Sequence, residues 1–77
     1  MEYTILVNDI ARWIKNERVN QGLSRNDLAI KSQVPESIII KLENGGTPSI
    51  TNSVLLFNAL GYNMTLKNGK INLARKE

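Results

Sequence analysis

The sequence contains no cysteine and no histidine. Disulfide bonds are therefore excluded, and the usual cysteine and histidine ligands of a zinc site are missing. Nucleophilic and acid–base schemes lack their common residues, and the chain has neither a phosphate loop of P-loop type nor a carboxylate cluster. We therefore expect a protein that is not an enzyme and that holds no metal ion or cofactor.

Long apolar runs are missing as well. No run approaches the roughly 18 residues that a membrane-spanning helix needs, and the N-terminus has no signal-peptide pattern. We expect a soluble cytoplasmic protein without a membrane partner. Its 77 residues fit a single domain, 1–77, near the size at which one core is marginally sufficient, so oligomerisation is the remaining aid to stability.

Positive charge is only slightly in excess. Ten Lys and Arg residues against seven Asp and Glu give a net charge of +3 and an isoelectric point near 9.5. This balance permits a polyanionic partner such as nucleic acid but does not by itself indicate one.

Hydrophobic spacing predicts a first helix in "IARWIKNERVNQ", which begins after Asn8 or Asp9 as N-cap and ends at Gly22. Its apolar side comprises Ile10, Trp13, Ile14 and Val19. The preceding "EYTILV", residues 2–7, is β-branched and fits a short strand or an extended arm.

Two shorter helices follow at once. Residues 24–32 begin with Ser24 as N-cap and carry Asp27 as an acidic variant of the capping box. Residues 35–43 begin with Pro35, which the first turn of a helix tolerates. The turn between the two helices is too short for anything but a sharp corner.

The third helix contains three consecutive isoleucines. At 100° per residue, Ile39 and Leu42 share the inward side, whereas Ser37 and Lys41 point the opposite way. The other two isoleucines flank Ile39 at about right angles: Ile38 and Ile40. Only part of the triplet can therefore be buried.

A fourth helix is predicted in "TPSITNSVLLFNALG", with Thr51 or Ser49 as N-cap and Gly61 after its end. Its expected apolar surface comprises Val54, Leu55, Phe57 and Leu60.

Residues 62–74 predict a β-hairpin. Asn68-Gly69 suits a two-residue type I′ turn, which pairs Met64 with Leu73 and Leu66 with Ile71. These four apolar side chains then share one face of the hairpin.

The two short helices form a helix-turn-helix. Residues 22–46 resemble the Cro/phage-repressor (XRE-type) family, and the likeness extends over residues 8–61. The matching positions are Gly22-Leu23-Ser24, Leu28-Ala29, Val34, Ile39, Leu42 and Glu43-Asn44-Gly45. The resemblance implies a mainly α, lambda-repressor-like bundle of four to five helices, here followed by the hairpin.

The resemblance also implies a DNA-binding surface. A recognition helix presents its outward side chains to base edges, and neighbouring groups hold phosphates. The expected base-facing residues are Glu36, Ser37 and Lys41, with Ile38 at the margin and Gln33 in the turn. The expected backbone contacts are Lys15, Ser24, Arg25 and Asn44.

Several positions depart from the family pattern. Glu36 is an acid that can accept from cytosine N4 but repels phosphate. Ile38 either contacts a thymine methyl or covers the rim of the core, and Ile40 packs against the fourth helix, a neighbouring subunit or that rim. Gln33 replaces a common turn glycine, which predicts about 1 kcal/mol of strain or another turn geometry.

Arg18 and Glu43 match a family ion pair that ties the recognition helix to the first helix. We favour a purely structural role for this pair, because a partly buried pair fixes geometry.

The hairpin resembles the C-terminal strand of HipB-type antitoxins, which pairs across a dimer axis. This resemblance implies a homodimer held by Met64, Leu66, Ile71 and Leu73, although the hairpin can also fold back on its own subunit. It further implies a repressor of its own operon that binds a HipA-like kinase toxin. The alternatives are a stand-alone phage or plasmid repressor and a protein-interaction module that does not bind DNA.

Overall fold

The computed structural model describes residues 2–47 and 49–76. Within these ranges the chain forms four α-helices and three strands. Their bounds are β1 Glu2–Leu6, α1 Ile10–Asn20, α2 Arg25–Ser32, α3 Glu36–Glu43, α4 Ile50–Ala59, β2 Tyr62–Lys67 and β3 Lys70–Arg75. The predicted fold class is confirmed, with the N-terminal segment forming a strand.

The entry to α1 differs from the prediction. A short 3-10 turn, Val7–Asp9, leads directly into the helix, so no side-chain cap is needed at that point. The carboxylate of Asp9 instead accepts a hydrogen bond from Arg12, at 2.7 Å. Gly22 follows the helix with a φ of 70°, as its position predicts. Val19 lies outside the core, with 57% of its surface exposed.

The start of α2 is a capping box, as predicted. The Asp27 N–H donates to the Ser24 hydroxyl oxygen, and the Ser24 N–H donates to the Asp27 carboxylate, each at 2.9 Å. Two of the N–H groups that a helix start leaves unpaired are thereby satisfied.

Helix α4 has a different buried side from the predicted one. Ser49 caps it, because its hydroxyl accepts from the Asn52 N–H at 3.0 Å. Its inward side chains are Ser53, Leu56, Phe57 and Leu60. Val54 and Leu55, which were expected inside, are each 38% exposed. Ser53 is buried without cost because its hydroxyl donates to the Ser49 carbonyl at 2.8 Å.

The hairpin has the predicted turn and register. Asn68 and Gly69 both have positive φ, at 52° and 73°. Met64 pairs with Leu73, and Leu66 pairs with Ile71. Strand β1 adds to the other side of β3, so the strand order is β1-β3-β2 and the two edges are β1 and β2.

One face of this sheet and all four helices enclose the core. The buried apolar side chains are Ile5, Ile10, Ile14, Leu28, Val34, Ile39, Leu42, Leu56, Phe57, Leu60, Tyr62, Ile71 and Leu73. Tyr3, Trp13 and Tyr62 form an aromatic cluster between the sheet and α1, with ring centroids 5.1 to 6.3 Å apart. The sheet therefore stabilises the face of the helices that lies away from α3.

Candidate nucleic-acid interface

Helix α3 has a polar outer side. Ile39 and Leu42 are buried on the inner side, as the spacing predicts. Ser37 and Lys41, one turn apart on the opposite side, are exposed, and Glu36 at the start of the helix is half-buried. The first two turns therefore offer a hydroxyl, an ammonium group and a carboxylate, which are hydrogen-bonding groups of the kind that read base edges.

The two flanking isoleucines have different surroundings. Ile38 is half-buried against the core and lines a groove of about 230 Å³ between α3 and α4, together with Asn52 and Leu56. Ile40, on the other flank, is 38% exposed. It is therefore Ile38 and not Ile40 that lines the groove between α3 and α4.

The turn between α2 and α3 is left-handed at Gln33. Its φ is 63°, and its N–H donates to the Ala29 carbonyl at 2.8 Å. Of the two expected alternatives, the structure shows the left-handed geometry, which we expect to cost about 1 kcal/mol relative to glycine. Ser32 holds the backbone of Val34, the residue after Gln33, because the Ser32 hydroxyl accepts from the Val34 N–H at 3.1 Å. Gln33 itself is exposed beside the start of α3.

The exposed start of α2 carries Ser24. The hydroxyl oxygen of Ser24 accepts the Asp27 N–H, which leaves its own hydrogen free to donate to an external acceptor. Hydrogen bonds from the Ser24 backbone and side chain lower the pKa of Asp27, so this end of the helix keeps an anion that supports the cap.

The predicted pair between α1 and α3 is present and includes a second arginine. The Glu43 side chain is fully buried, and Arg18 donates to both of its oxygens, at 2.8 and 3.0 Å. Arg25 donates through Nε to one of these oxygens at 3.1 Å. Burial alone would raise the pKa of Glu43, but the hydrogen bonds and charges of Arg18 and Arg25 outweigh it and lower that pKa. The carboxylate therefore stays ionised inside the fold.

The two arginines differ in exposure. Arg18 is 11% exposed and also donates to the Leu23 carbonyl at 2.8 Å, so it is a structural residue. Arg25 is 42% exposed and binds Glu43 through Nε alone. Its two terminal nitrogens have no hydrogen-bond partner among residues 2–47 and 49–76, and a phosphate can take that edge of the guanidinium.

Lys15 and Asn44 are close to the same ion pair, because Lys15 shares a groove with Glu43 and Asn44 follows Glu43 in the chain. Lys15 is exposed and lines a shallow groove of about 340 Å³ with Asn8, Glu43 and Gly45. Asn44 is exposed at the end of α3. The structure thus brings Lys15, Asn44 and Arg25 around one buried carboxylate.

Sequence reasoning missed two features of this region. The bond between Arg25 and Glu43 joins the first residue of one helix to the last of the next, and helical periodicity cannot reveal such a contact. Gly46 is the second feature, because a Cβ there would lie 2.8 Å from the Lys41 carbonyl oxygen. Its N–H donates to that oxygen at 2.8 Å, so the loop after α3 closes tightly on the helix.

The residues predicted for dimerisation fall into two groups. Ile71 and Leu73 are fully buried in the core of their own chain, which leaves them no surface for a partner in this conformation. Leu66 is 53% exposed and Met64 is half-buried. Within this chain, α4 packs against β2 of the hairpin, and β1 pairs with the other edge of β3.

Neither a metal site nor a membrane segment is found in the described part of the chain. Among those residues, no group of three or more Asp or Glu side chains is arranged to hold a metal ion. None of the helices described is long and apolar enough to cross a membrane.

Comparison with known proteins agrees with the geometry of α2 and α3. A helix-turn-helix family model, of the Cro/C1-type (XRE) class, matches residues 14–67. No curated protein and no solved structure gives a significant match. The matched region contains the capping box, the left-handed turn, the polar side of α3 and the buried ion pair. The chain therefore belongs to the helix-turn-helix family, whose domains are DNA-binding transcription regulators.

Proposed function

We propose that this protein binds duplex DNA sequence-specifically and represses transcription, with α3 lying in the major groove. The observation that carries the proposal is the exposed pair Ser37 and Lys41 on the side of α3 opposite its buried residues. Lys41 is suited to guanine O6 and N7, and Ser37 donates to or accepts from either kind of base pair. Glu36 accepts from cytosine N4, and Gln33 lies beside it in the turn.

Phosphate contacts orient the helix in the groove. Ser24 supplies a hydroxyl hydrogen and Arg25 the free edge of its guanidinium, both at the start of α2. Lys15 and Asn44 supply further contacts beside the ion pair. Because Glu43 holds Arg25 by Nε, the arginine loses little side-chain freedom when a phosphate binds.

The apolar base contact that we propose is Ile40. It is the isoleucine of α3 that has no packing role in the core, and it flanks the outward row of polar side chains. An exposed methyl-bearing side chain in the major groove is suited to the 5-methyl group of thymine. Ile38, for which the sequence left a thymine contact and a position at the core rim open, lines the groove between α3 and α4.

The repressor that we propose acts as a homodimer on a palindromic operator. A two-fold axis would set two α3 helices one turn of DNA apart, about 34 Å, and would double the number of contacts. A chain of this size also gains stability from the burial that dimerisation adds.

Salt dependence tests the DNA-binding proposal. The probes are duplexes selected from a random pool and the DNA upstream of the gene itself. Affinity should fall steeply with salt. Lys15→Ala removes a proposed phosphate contact and should reduce the slope of log K against log salt by about 0.9 per protomer. Lys41→Ala removes a proposed base contact and should weaken binding mainly to duplexes that carry guanine at the contacted position. Lys70→Ala is the matched control. Lys70 is exposed at the start of β3, outside the proposed DNA-binding surface, so its replacement should leave the slope unchanged. If no duplex binds at low salt, the proposal fails.

A second candidate is an antitoxin that also binds a HipA-like kinase toxin. The observation that favours it is the hairpin at residues 62–75, because simple phage-repressor domains of this type end in another helix. The test is co-purification with any kinase-like protein encoded by the adjacent gene. A neighbour of the integrase or opposing-regulator type favours a stand-alone phage or plasmid repressor instead.

A further inference from the structure

Two asparagines of this chain, Asn44 and Asn68, are followed by glycine, whereas every other asparagine is followed by a residue with a side chain. Asparagine is a chemically labile residue, and it loses its amide most readily before glycine, because glycine leaves the next backbone nitrogen unhindered. Both Asn-Gly pairs are exposed, so water reaches both of them. What distinguishes them is how the fold holds the nitrogen of the glycine.

Deamidation of asparagine needs no enzyme. The backbone nitrogen of the following glycine loses its proton and attacks the side-chain Cγ. The new C–N bond closes a succinimide ring, and the side-chain nitrogen leaves as ammonia. Water then opens the ring at either carbonyl, which yields aspartate or isoaspartate and places a negative charge where a neutral amide was. A glycine N–H that already donates a hydrogen bond must first leave its acceptor before it can react.

The nitrogen of Gly45 is held at the end of α3. The Gly45 N–H donates to the Leu42 carbonyl at 3.1 Å, and the next N–H, of Gly46, donates to the Lys41 carbonyl at 2.8 Å. The two bonds close the loop onto the last turn of the helix. Attack on the side chain of Asn44 therefore requires this turn to open first, which is a local unfolding event.

The nitrogen of Gly69 is not held in this way. Within residues 2–47 and 49–76, no hydrogen bond uses the Gly69 N–H or the amide of Asn68. In a two-residue hairpin turn the bonds of the ladder join the flanking residues, here Lys67 and Lys70, and leave the central N–H free. Attack on the Asn68 side chain thus breaks no hydrogen bond.

We propose that Asn68 is a site of spontaneous deamidation in the folded protein, and that the end of α3 protects Asn44 from the same reaction. Isoaspartate at position 68 adds its Cβ to the main chain of a turn that fits two residues, so it loosens the hairpin. A new carboxylate at position 44 would instead adjoin Glu43 within the proposed DNA-binding surface. The fold thus directs this modification to the hairpin turn and away from that surface.

Incubation of the full chain in mildly alkaline buffer tests this proposal. The chain is then denatured and cut after glutamate, which releases residues 44–77 with both sites. Tandem mass spectrometry locates each conversion of amide to acid, and electron-transfer fragmentation distinguishes isoaspartate from aspartate. The reference is the same chain unfolded in guanidinium chloride, where local sequence alone sets the two rates. Folding should raise the ratio of the Asn68 rate to the Asn44 rate by at least about tenfold, since local opening must precede reaction at Asn44.

Gly46→Ala tests the protection directly. A Cβ at Gly46 would lie 2.8 Å from the Lys41 carbonyl oxygen, so this variant loosens the end of α3. It should speed deamidation of Asn44 several-fold and leave the rate at Asn68 unchanged. Gly22→Ala is the matched control, because it adds the same methyl group after α1 and should alter neither rate. Thermal unfolding and the fluorescence of Trp13, the sole tryptophan, check that each variant folds.

The comparison of folded and unfolded wild type decides the question even if Gly46→Ala does not fold. Equal rate ratios in the folded and unfolded chains, faster reaction at Asn44 than at Asn68 in the folded chain, or no reaction at Asn68 would each overturn the proposal. No step of the measurement uses DNA, so its outcome is independent of the proposed function.

Discussion

Helices α3 and α4 are consecutive and of similar length, and both expose large aliphatic side chains, yet they differ in charge. Helix α3 contains Glu36, Lys41 and Glu43, whereas α4 contains no charged residue. The end of α3 is held by a buried carboxylate between two arginines. Helix α4 is held by apolar burial and by the two serines at its start.

The difference indicates two kinds of partner. A polar row on a helix fixed by ion pairs suits a polyanion, since phosphates supply the opposite charge and base edges supply hydrogen bonds. A surface that carries few charges and exposes apolar side chains is typical of the core of a protein–protein interface. The two helices thus differ in how they are held and in which groups they expose, and the following predictions test that difference.

The largest expected effect is on the anchoring of α3. Glu43→Ala should lower the free energy of unfolding by about 3–5 kcal/mol, because Arg18 is then left buried without its partner. That is a large part of the roughly 4–12 kcal/mol expected for a chain of this size. Urea unfolding followed by Trp13 fluorescence measures it. Arg12→Ala, which removes the exposed ion pair with Asp9, is the control and should cost about 0–1 kcal/mol. Equal losses of stability for Glu43→Ala and Arg12→Ala would contradict the expected difference between the buried and the exposed ion pair.

The second effect is on the dependence of stability on pH. The folded-state pKa of Glu43 is lower than its ordinary value of 4.5, so the ionised carboxylate stabilises the fold above pH 4.5. This contribution is lost as the pH falls through the folded-state pKa. Thermal midpoints between pH 6 and pH 3 should therefore fall more steeply for the wild type than for Glu43→Gln. Parallel curves for the two proteins would show that Glu43 does not carry the acid sensitivity.

A smaller effect is expected at the start of α4. Ser49→Ala removes the hydroxyl that accepts the Asn52 N–H and should lower the free energy of unfolding by about 1 kcal/mol. Thr51→Ala, two residues further on in the exposed first turn, should change it by less than about 0.5 kcal/mol. Chemical denaturation of both variants decides which residue caps the helix, and a larger loss for Thr51→Ala would reverse the assignment.

The smallest effect concerns Ile40. Replacing thymine by uracil in a selected duplex removes one methyl group, which should weaken wild-type binding by about 0.8 kcal/mol, or roughly fourfold, at a contacted position. Ile40→Ala should bind the two duplexes equally well. Uracil effects of the same size in both proteins would exclude Ile40 as the thymine contact and would leave only polar groups on the reading side of α3.

Local signals predicted the parts of this fold that depend on neighbouring residues. The Ser24 and Asp27 capping box and the Asn68-Gly69 turn need only a few adjacent positions, so the sequence defined them and the hairpin register correctly. The inward side of α4 was misassigned because a helix without charged residues has no polar stripe to orient it. Burial of Ser53 is possible only because its hydroxyl reaches the Ser49 carbonyl, a backbone bond that composition cannot reveal.

In the candidate site, too, the sequence predicts what depends on neighbouring residues and does not predict contacts between helices. The inward positions of Ile39 and Leu42 follow from helical period alone. Ile38 and Ile40 are equivalent by period, so the position of α4 decides which of them is covered. The bond from Arg25 to Glu43 depends on the angle between two helices, and a sequence pattern carries no such angle.

The strand order of the sheet determines which parts of the chain can fold first during synthesis. Strand β1 leaves the ribosome before the four helices and its partner β3 leaves after them, and Glu2 lies opposite Ala74. The helices can form from local contacts, but the backbone groups of β1 are satisfied only after β3 has been synthesised. Until then Tyr3 cannot join Trp13 and Tyr62, so the tryptophan environment should mature only when translation of β3 is complete.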